Sequence, residues 1–362
     1  MPLFSLSNSK CFWRTSIAFA FSLTFLFIAN STTLQTPSPT SCNNDPYKQL
    51  NLILNPNGTV TRPNKPPESP PAPDPTTPNL VLSKDHTINQ SKGTWVRIYL
   101  PRKALDHSSK LPLVVFFHGG GFIFLSAAST IFHDFCLNMA NDVAAIVASV
   151  EYRLAPEHRL PAAYEDAVEA LHWIKTNQVD DWLKNYADYS HVYLMGSSAG
   201  GNIAYNAGLR VAAANDDDQE LKIKGLILVQ PFFSGTHRTG SELRLANEPH
   251  LSLCNNDALW ELSLPVGVDR DHEYCNPTAG NGGKRVEMIK HRGWWVLVTG
   301  CRGDPLVDRQ AQLVRYMQRE GVRVVGHFTA GDYHGIQDTQ PLKAKELFVV
   351  VKTFIEALSS VN

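Results

Sequence analysis

Beyond Pro78, short apolar runs rich in β-branched and aromatic residues alternate along the chain with segments of helical length. Seven of these runs predict strands: Trp95–Leu100, Leu113–Phe117, Ala145–Val150, Val192–Met195, Leu226–Val229, Trp294–Val298 and Arg323–Phe328. Between the third and fourth, Tyr164, Ala167, Val168, Leu171 and Ile174 recur at helical spacing and predict an amphipathic helix lying on the sheet. After the fourth, Ile203, Ala204, Ala207 and Val211 again share one helical face, until the polar stretch 215–220 ends the pattern. The alternation predicts an α/β fold, a mostly parallel central sheet with helices on both faces.

Two segments before Pro78 depart from this rhythm. Lys10 and Arg14 precede a 14-residue apolar run, Ser16 to Ala29, and no acidic residue occurs before Asp45. That is the layout of a secretory signal peptide, with small residues at Ala29-Asn30-Ser31 for cleavage, and the run is shorter than the roughly 20 residues that span a bilayer. Residues 1–31 are therefore expected to be a signal, which makes the protein secreted or endomembrane, without a stable membrane span after cleavage. An uncleaved apolar tail on a cytoplasmic protein is the alternative. Residues 62–78 read RPNKPPESPPAPDPTTP, too proline-rich for a helix or a ladder strand. This predicts an extended arm over 32–78 and a folded domain over 79–362. Asn57-Gly-Thr and Asn89-Gln-Ser are glycosylation sequons that matter only in the secretory pathway.

Composition narrows the function. A formal charge of −1, from 33 basic and 34 acidic residues with no basic run, gives no reason to expect nucleic acid as a partner. Six scattered cysteines form no C-x-x-C pair, so neither a zinc ribbon nor a dense disulfide framework is indicated. The run Asp271 to Cys275 holds ligand-type residues but has no second cluster at metal spacing, and reads as a polar loop. No metal or cofactor is expected.

The candidate chemistry lies where strands end. Val192–Met195 leads into Gly196-Ser197-Ser198-Ala199-Gly200, a G-x-S-x-G word between a strand and a helix. Small residues flank the serine because the turn is strained and a side chain there would collide with neighbouring strands. The turn lifts the Ser198 hydroxyl out of the sheet at a helix N-terminus, where free N–H groups favour developing negative charge. Eighty residues upstream, Leu113–Phe117 ends in His118-Gly119-Gly120-Gly121-Phe122. Three glycines after a buried strand leave backbone N–H groups unshielded, as in an HGGG-type oxyanion loop, and the signature of a phosphate loop is missing. In that geometry Gly120 and Gly121 donate from the loop and Ala199 from the turn.

A serine nucleophile needs a base, and the base an orienting acid, in the chain order Ser, Asp/Glu, His. Of 13 histidines, His334 lies in Gly331-Asp-Tyr-His-Gly335, directly after the last strand, whereas His327 falls within that strand and His291 precedes one. The acid belongs in the loop after the preceding strand, where Asp304 is the choice; Asp308 falls in the following helix.

From about Pro78 onward the chain resembles the plant carboxylesterases of the hormone-sensitive-lipase-like group of α/β-hydrolases. The matching words are HGGGF at 118–122, YRLAPE at 152–157 with LPA at 160–162, GSSAGGN at 196–202, DPLVD at 304–308 and YHG at 333–335. The stretches ELRLAN at 242–247 and DHEYCNP at 271–277 resemble plant members that hydrolyse small acyl esters. The resemblance implies an α/β-hydrolase fold and a serine carboxylesterase acting on small-molecule, short-acyl esters, its acyl pocket covered by the N-terminal arm and the insertion 232–264. It also implies a departure, since the group usually carries Asp or Glu where this chain has Ser197; this puts local electrostatics and rate in doubt. Members are usually cytosolic, unlike the location the N-terminus indicates. Two other activities occur among similar plant proteins. Gibberellin receptors have lost the histidine that is present here as His334, and dehydratases and cyclases turn the same loop and base on non-ester substrates.

Overall fold

The computed structural model describes residues 45–360 apart from 107–108, 177–179, 215–220 and 281–282. The signal-peptide segment 1–31, the first part of the arm and the polar stretch 215–220 lie outside the described residues.

Eight strands form one sheet: β1 (Val81–Asn89), β2 (Thr94–Pro101), β3 (Leu111–Phe117), β4 (Ile146–Glu151), β5 (Ala187–Ser197), β6 (Ile223–Val229), β7 (Trp295–Cys301) and β8 (Arg323–Thr329). Their spatial order is β1-β2-β4-β3-β5-β6-β7-β8. β2 runs antiparallel to β1 and β4, and the remaining pairs are parallel. The helices that cover the sheet are α1 (Thr130–Met139), α2 (Ala162–Thr176), α3 (Ala199–Ala213), α5 (Val307–Arg319) and α6 (Pro341–Ser359), while α4 (Leu253–Ser263) lies in the segment between β6 and β7. β3 illustrates how alternate side chains feed two cores. Leu113, Val115 and Phe117 join Ile174 of α2, Ile203 of α3 and Leu313 of α5 on one face, while Val114 and Phe116 meet Phe132 of α1 and Phe348 of α6 on the other.

All seven expected strands and both expected helices are present, with ends shifted by a few residues. β1 has no counterpart in the sequence reading. Only its first three residues are buried, and from Lys84 on it carries polar side chains at a sheet edge, so it lacks an apolar signature. Those polar groups are paired: Asp85 takes a two-pronged bond from the buried Arg97 of β2, at 2.6 and 2.8 Å, and His86 reaches Asp180 at 2.8 Å.

The boundary expected at Pro78 is also revised. Residues 53–54 and 60–61 form a small antiparallel hairpin, and Leu52 and Val60 are buried in the main core. The proline-rich stretch is extended as expected, but it is fastened to the domain. Prolines cannot donate, yet their carbonyls accept, and Thr130 donates to Pro67 at 2.8 Å while Ser69 donates to Ala128 at 2.9 Å. Arg62 makes the firmest attachment. Its guanidinium donates to the carbonyls of Ile123 and Ala155, both at 2.7 Å, and to Glu157 at 2.8 Å. Because Ile123 closes the glycine loop at 119–121, the arm supports that loop directly. Among the described residues no helix is long and apolar enough to cross a membrane.

The Glu157 pair is partly exposed and adds little, but two charge-assisted bonds to backbone carbonyls, at the low end of the range for such bonds, are worth about 3 kcal/mol together. Arg62→Ala is expected to lower the unfolding free energy by about that amount, read from urea denaturation, with the far-ultraviolet spectrum unchanged. A loss below experimental error would mean the arm is held elsewhere.

Candidate active site

The parallel strands end side by side: Phe117 is in register with Gly196, Ser197 with Val229, Val229 with Thr299, and Thr299 with His327. Every candidate residue lies just beyond one of these ends, where open α/β sheets gather their ligands. Ser198 follows β5 and caps α3 with φ 54°, ψ −116°, a backbone conformation that costs an L-residue energy. The surroundings enforce it. A Cβ at position 200 would sit 1.9 Å from the Phe117 carbonyl oxygen, and one at 196 would sit 2.1 Å from the Gly200 oxygen. Only glycine fits at either place. The Ser198 N–H donates to Val229 at 2.8 Å and its carbonyl accepts from Phe232 at 3.0 Å, pinning the turn from the neighbouring strand.

The Ser198 Oγ lies 2.8 Å from His334 Nε2, and His334 Nδ1 lies 2.9 Å from Asp304 Oδ2. A carboxylate only accepts, so Nδ1 carries the proton and Nε2 presents its lone pair to the serine hydroxyl. The sequence-derived trio is thus brought together from three strand ends. Asp304 is fully buried and accepts two further bonds, from Gln310 Nε2 and the Leu306 N–H, both at 2.8 Å. Asp308 is engaged elsewhere: it lies in the first turn of α5 and accepts from Ser241 N–H at 2.7 Å, anchoring the short helix Gly240–Arg244. The two loops meet at Gly303, where a Cβ would lie 1.8 Å from the Asp332 carbonyl oxygen.

The glycine loop lies against the same turn. A Cβ on Gly119 would be 3.5 Å from the Ser198 Cβ. Gly120 and Gly121 adopt φ of +109° and +62°, and the Gly120 carbonyl accepts from both Ile123 and Phe124 as the loop closes. Ala199, the third expected donor, is the first residue of α3. Behind the loop, the buried His118 stacks on Tyr152 at 4.2 Å and donates from Nδ1 to the Gly119 carbonyl at 2.8 Å; burial pushes its pKa down to about 4, so it is neutral.

Sequence reasoning missed two supporting residues. Gln230 brackets the histidine, accepting from Gly335 N–H at 2.7 Å and donating to the Tyr333 carbonyl at 3.3 Å. Gln310 orients Asp304. Each had a signal: Gln230 directly follows the apolar run Leu226–Val229, and Gln310 falls on the apolar stripe of α5 with Leu313, Val314 and Met317. The run Asp271–Pro277 is a loop that packs the insertion against α3, for Asn202 donates to the carbonyls of Phe232 and Tyr274 at 3.0 and 2.8 Å.

A family model for the α/β-hydrolase fold matches residues 114–338. Carboxylesterase 20 of Arabidopsis thaliana is 50% identical over 88% of this chain and 98% of its own length. A 3-O-acetylpapaveroxine carboxylesterase of Papaver somniferum is 42% identical over 86% of this chain and 99% of its own. Among solved structures, an esterase of Pyrobaculum calidifontis aligns with a TM-score of 0.62 at 28% identity, covering 76% of this chain and 85% of that one. The chain belongs to the α/β-hydrolases. Within them it is a member of the plant carboxylesterases of the hormone-sensitive-lipase-like group, a family of carboxylic ester hydrolases.

Burial pulls the His334 imidazole down, but the charge and hydrogen bond of Asp304, with the charges of Asp338 and Glu248, outweigh it and hold the pKa above the ordinary 6.5. In Asp304→Asn the largest opposing charge is gone and burial prevails. The His334 ring, followed by nitrogen NMR, is then expected to titrate below 6.5 rather than above it. A midpoint that stays put would deny the Asp304 contact its electrostatic weight.

Proposed function

We propose that the chain hydrolyses short-acyl carboxylic esters through Ser198, His334 and Asp304. The observation that carries this reading is the unbroken hydrogen-bond relay from Ser198 Oγ through the His334 ring to Asp304. Ser198 Oγ attacks the ester carbonyl while Nε2 of His334 takes its proton. The oxygen that becomes negative accepts from the N–H groups of Gly120, Gly121 and Ala199, whose positions beside a helix N-terminus favour that charge. His334 returns the proton to the departing alcohol. Water, deprotonated by the same Nε2, then releases the acid from Ser198. Asp304 holds the tautomer and the orientation throughout. The preference for short acyl groups is supported by the poppy relative, whose name specifies an acetyl ester.

A series of nitrophenyl esters from acetate to palmitate tests both parts. The highest kcat/KM is expected at the short end, and an optimum at palmitate would overturn the acyl preference. On the best ester, Ser198→Ala and His334→Ala should each remove most turnover, and the double variant should lose almost nothing more, because such residues act as a unit. Asp304→Asn is expected to cost on the order of 10⁴ in kcat, whereas Asp308→Asn should cost little. Full activity in Ser198→Ala would end the assignment.

We also propose that the chain enters the secretory pathway, on the strength of the basic and apolar N-terminal pattern. A disulfide at Cys254 suits an oxidising compartment. Asn57 is exposed at a turn, whereas the Asn89 side chain is half-buried and its amide nitrogen is engaged by Glu169 at 2.8 Å, which crowds the atom a sugar would have to join. Protein from its native tissue is expected to begin near residue 30 and to carry a glycan at Asn57 but not at Asn89, as read by N-terminal sequencing and peptide mass. A chain starting at Met1 with Asn57 bare would refute it.

A further inference from the structure

Position 197, where an acid was expected, holds a buried serine at the last residue of β5. Its hydroxyl is not idle. Ser197 Oγ donates to the Asp338 carboxylate, at 2.8 Å to Oδ2 and 3.1 Å to Oδ1, and accepts from Gln337 Nε2 at 3.2 Å. Asp338 stands four residues after His334, on the one-turn helix Ile336–Thr339 that begins at Gly335. The bond therefore joins the nucleophile turn to the histidine loop at a second point, next to the Ser198–His334 contact itself. Gly335, at the start of that helix, is also held by Gln230.

We propose that Asp338 is a positioning residue of the esterase: through Ser197 it locks the histidine loop onto the nucleophile turn, and it supplies a second carboxylate facing His334. The inference rests on His334 being the base. The groups around His334 are Asp304 from the β7 loop, Asp338 from its own loop and Glu248 from the insertion, all three acting to raise its pKa. Asp338 in turn faces the His334 ring, Ser197 and Gln337, and on α1 the buried thiol of Cys136, which burial keeps neutral. Burial lifts the Asp338 pKa to about 6, against the opposing effects of Ser197, His334 and Gln337. The carboxylate is thus charged above about pH 6, the range in which the imidazole itself gives up its proton.

The test exchanges the two groups. Asp338→Asn keeps the shape and an acceptor for Ser197 but removes the charge. Ser197→Asp/Asp338→Ser restores a carboxylate and a hydroxyl across the same contact with donor and acceptor reversed. His334 is titrated by nitrogen NMR in each folded protein, and kcat/KM on nitrophenyl acetate is measured against pH, with His334→Ala as the control. In Asp338→Asn the imidazole midpoint and the acid limb of kcat/KM are expected to fall together by about one unit, and kcat on the plateau to drop severalfold with KM unchanged. The exchange variant should return both to within a few tenths of a unit of the parent. An unmoved imidazole in Asp338→Asn, or an exchange variant that behaves like Asp338→Asn, overturns the proposal. If Asp338→Asn does not fold, the exchange variant decides alone, and its failure to fold also counts against the proposal. An active His334→Ala would sink the catalytic reading instead, while the NMR titration would still report on Asp338.

Discussion

The site depends on one backbone-to-backbone contact, the nucleophile turn pressed against the end of β3. A Cβ at position 200 would lie 1.9 Å from the Phe117 oxygen and 2.6 Å from that of His118, so main chain meets main chain there with no room for a side chain. Ser198 keeps a strained φ of 54° because α3 behind it and β6 beside it leave no alternative. The same contact places the glycine loop, since His118 and Gly119 continue from Phe117. The distance between the Ser198 backbone and the glycine loop is therefore fixed by main-chain geometry, and the hydroxyl itself is then held by its contact with His334 at 2.8 Å. That is the rigidity that preorganised charge stabilisation requires.

The proposed base, His334, and acid, Asp304, are positioned by a different means. Their loops leave neighbouring strands and cross at Gly303, but side-chain hydrogen bonds do the orienting: Gln310 and the Leu306 N–H on Asp304, Gln230 on both sides of His334. Each of these donors or acceptors is buried beside a strand end, where losing a partner costs the full desolvation of the group left behind. Such bonds are therefore kept, and they hold the imidazole in one tautomer.

This division explains what could be read from the sequence. Backbone constraints demand particular residues at fixed spacing, so the turn at 196–200, the glycines at 119–121 and the strand–loop context of Asp304 and His334 are visible in a linear text. Continuous apolar runs such as β3 and the second half of β6, Leu226–Val229, are equally plain. β1 is not, because an edge strand satisfies its polar side chains laterally, through Arg97 and Asp180, and so needs no apolar run. The fastening of the arm is hidden for a related reason: prolines forbid regular structure, yet nothing forbids their carbonyls from accepting bonds of the domain. Ser197 and Asp338 lie 141 residues apart, and no local pattern relates a serine to an aspartate at that separation.

The segments that border the glycine loop also hold it in place. The arm donates to Ile123 through Arg62. From the insertion, Leu259 sits where a Cβ on Gly121 would be only 2.8 Å away, and Trp260 stacks on Phe232 at 4.8 Å and leans on Phe122 at 5.5 Å. These aromatic rings are buried, so a change of size at any of them shifts its neighbours rather than opening space. In this fold specificity varies through such segments, whereas rate depends on the loop amides. Here the two cannot be adjusted separately. A smaller side chain at Leu259 or Trp260 removes packing from Gly121 or Phe122. If the proposed acyl pocket lies under the insertion, enlarging it without loosening the glycine loop requires compensation from the other side, and Arg62 on the arm, which donates to Ile123, is the residue in position to provide it.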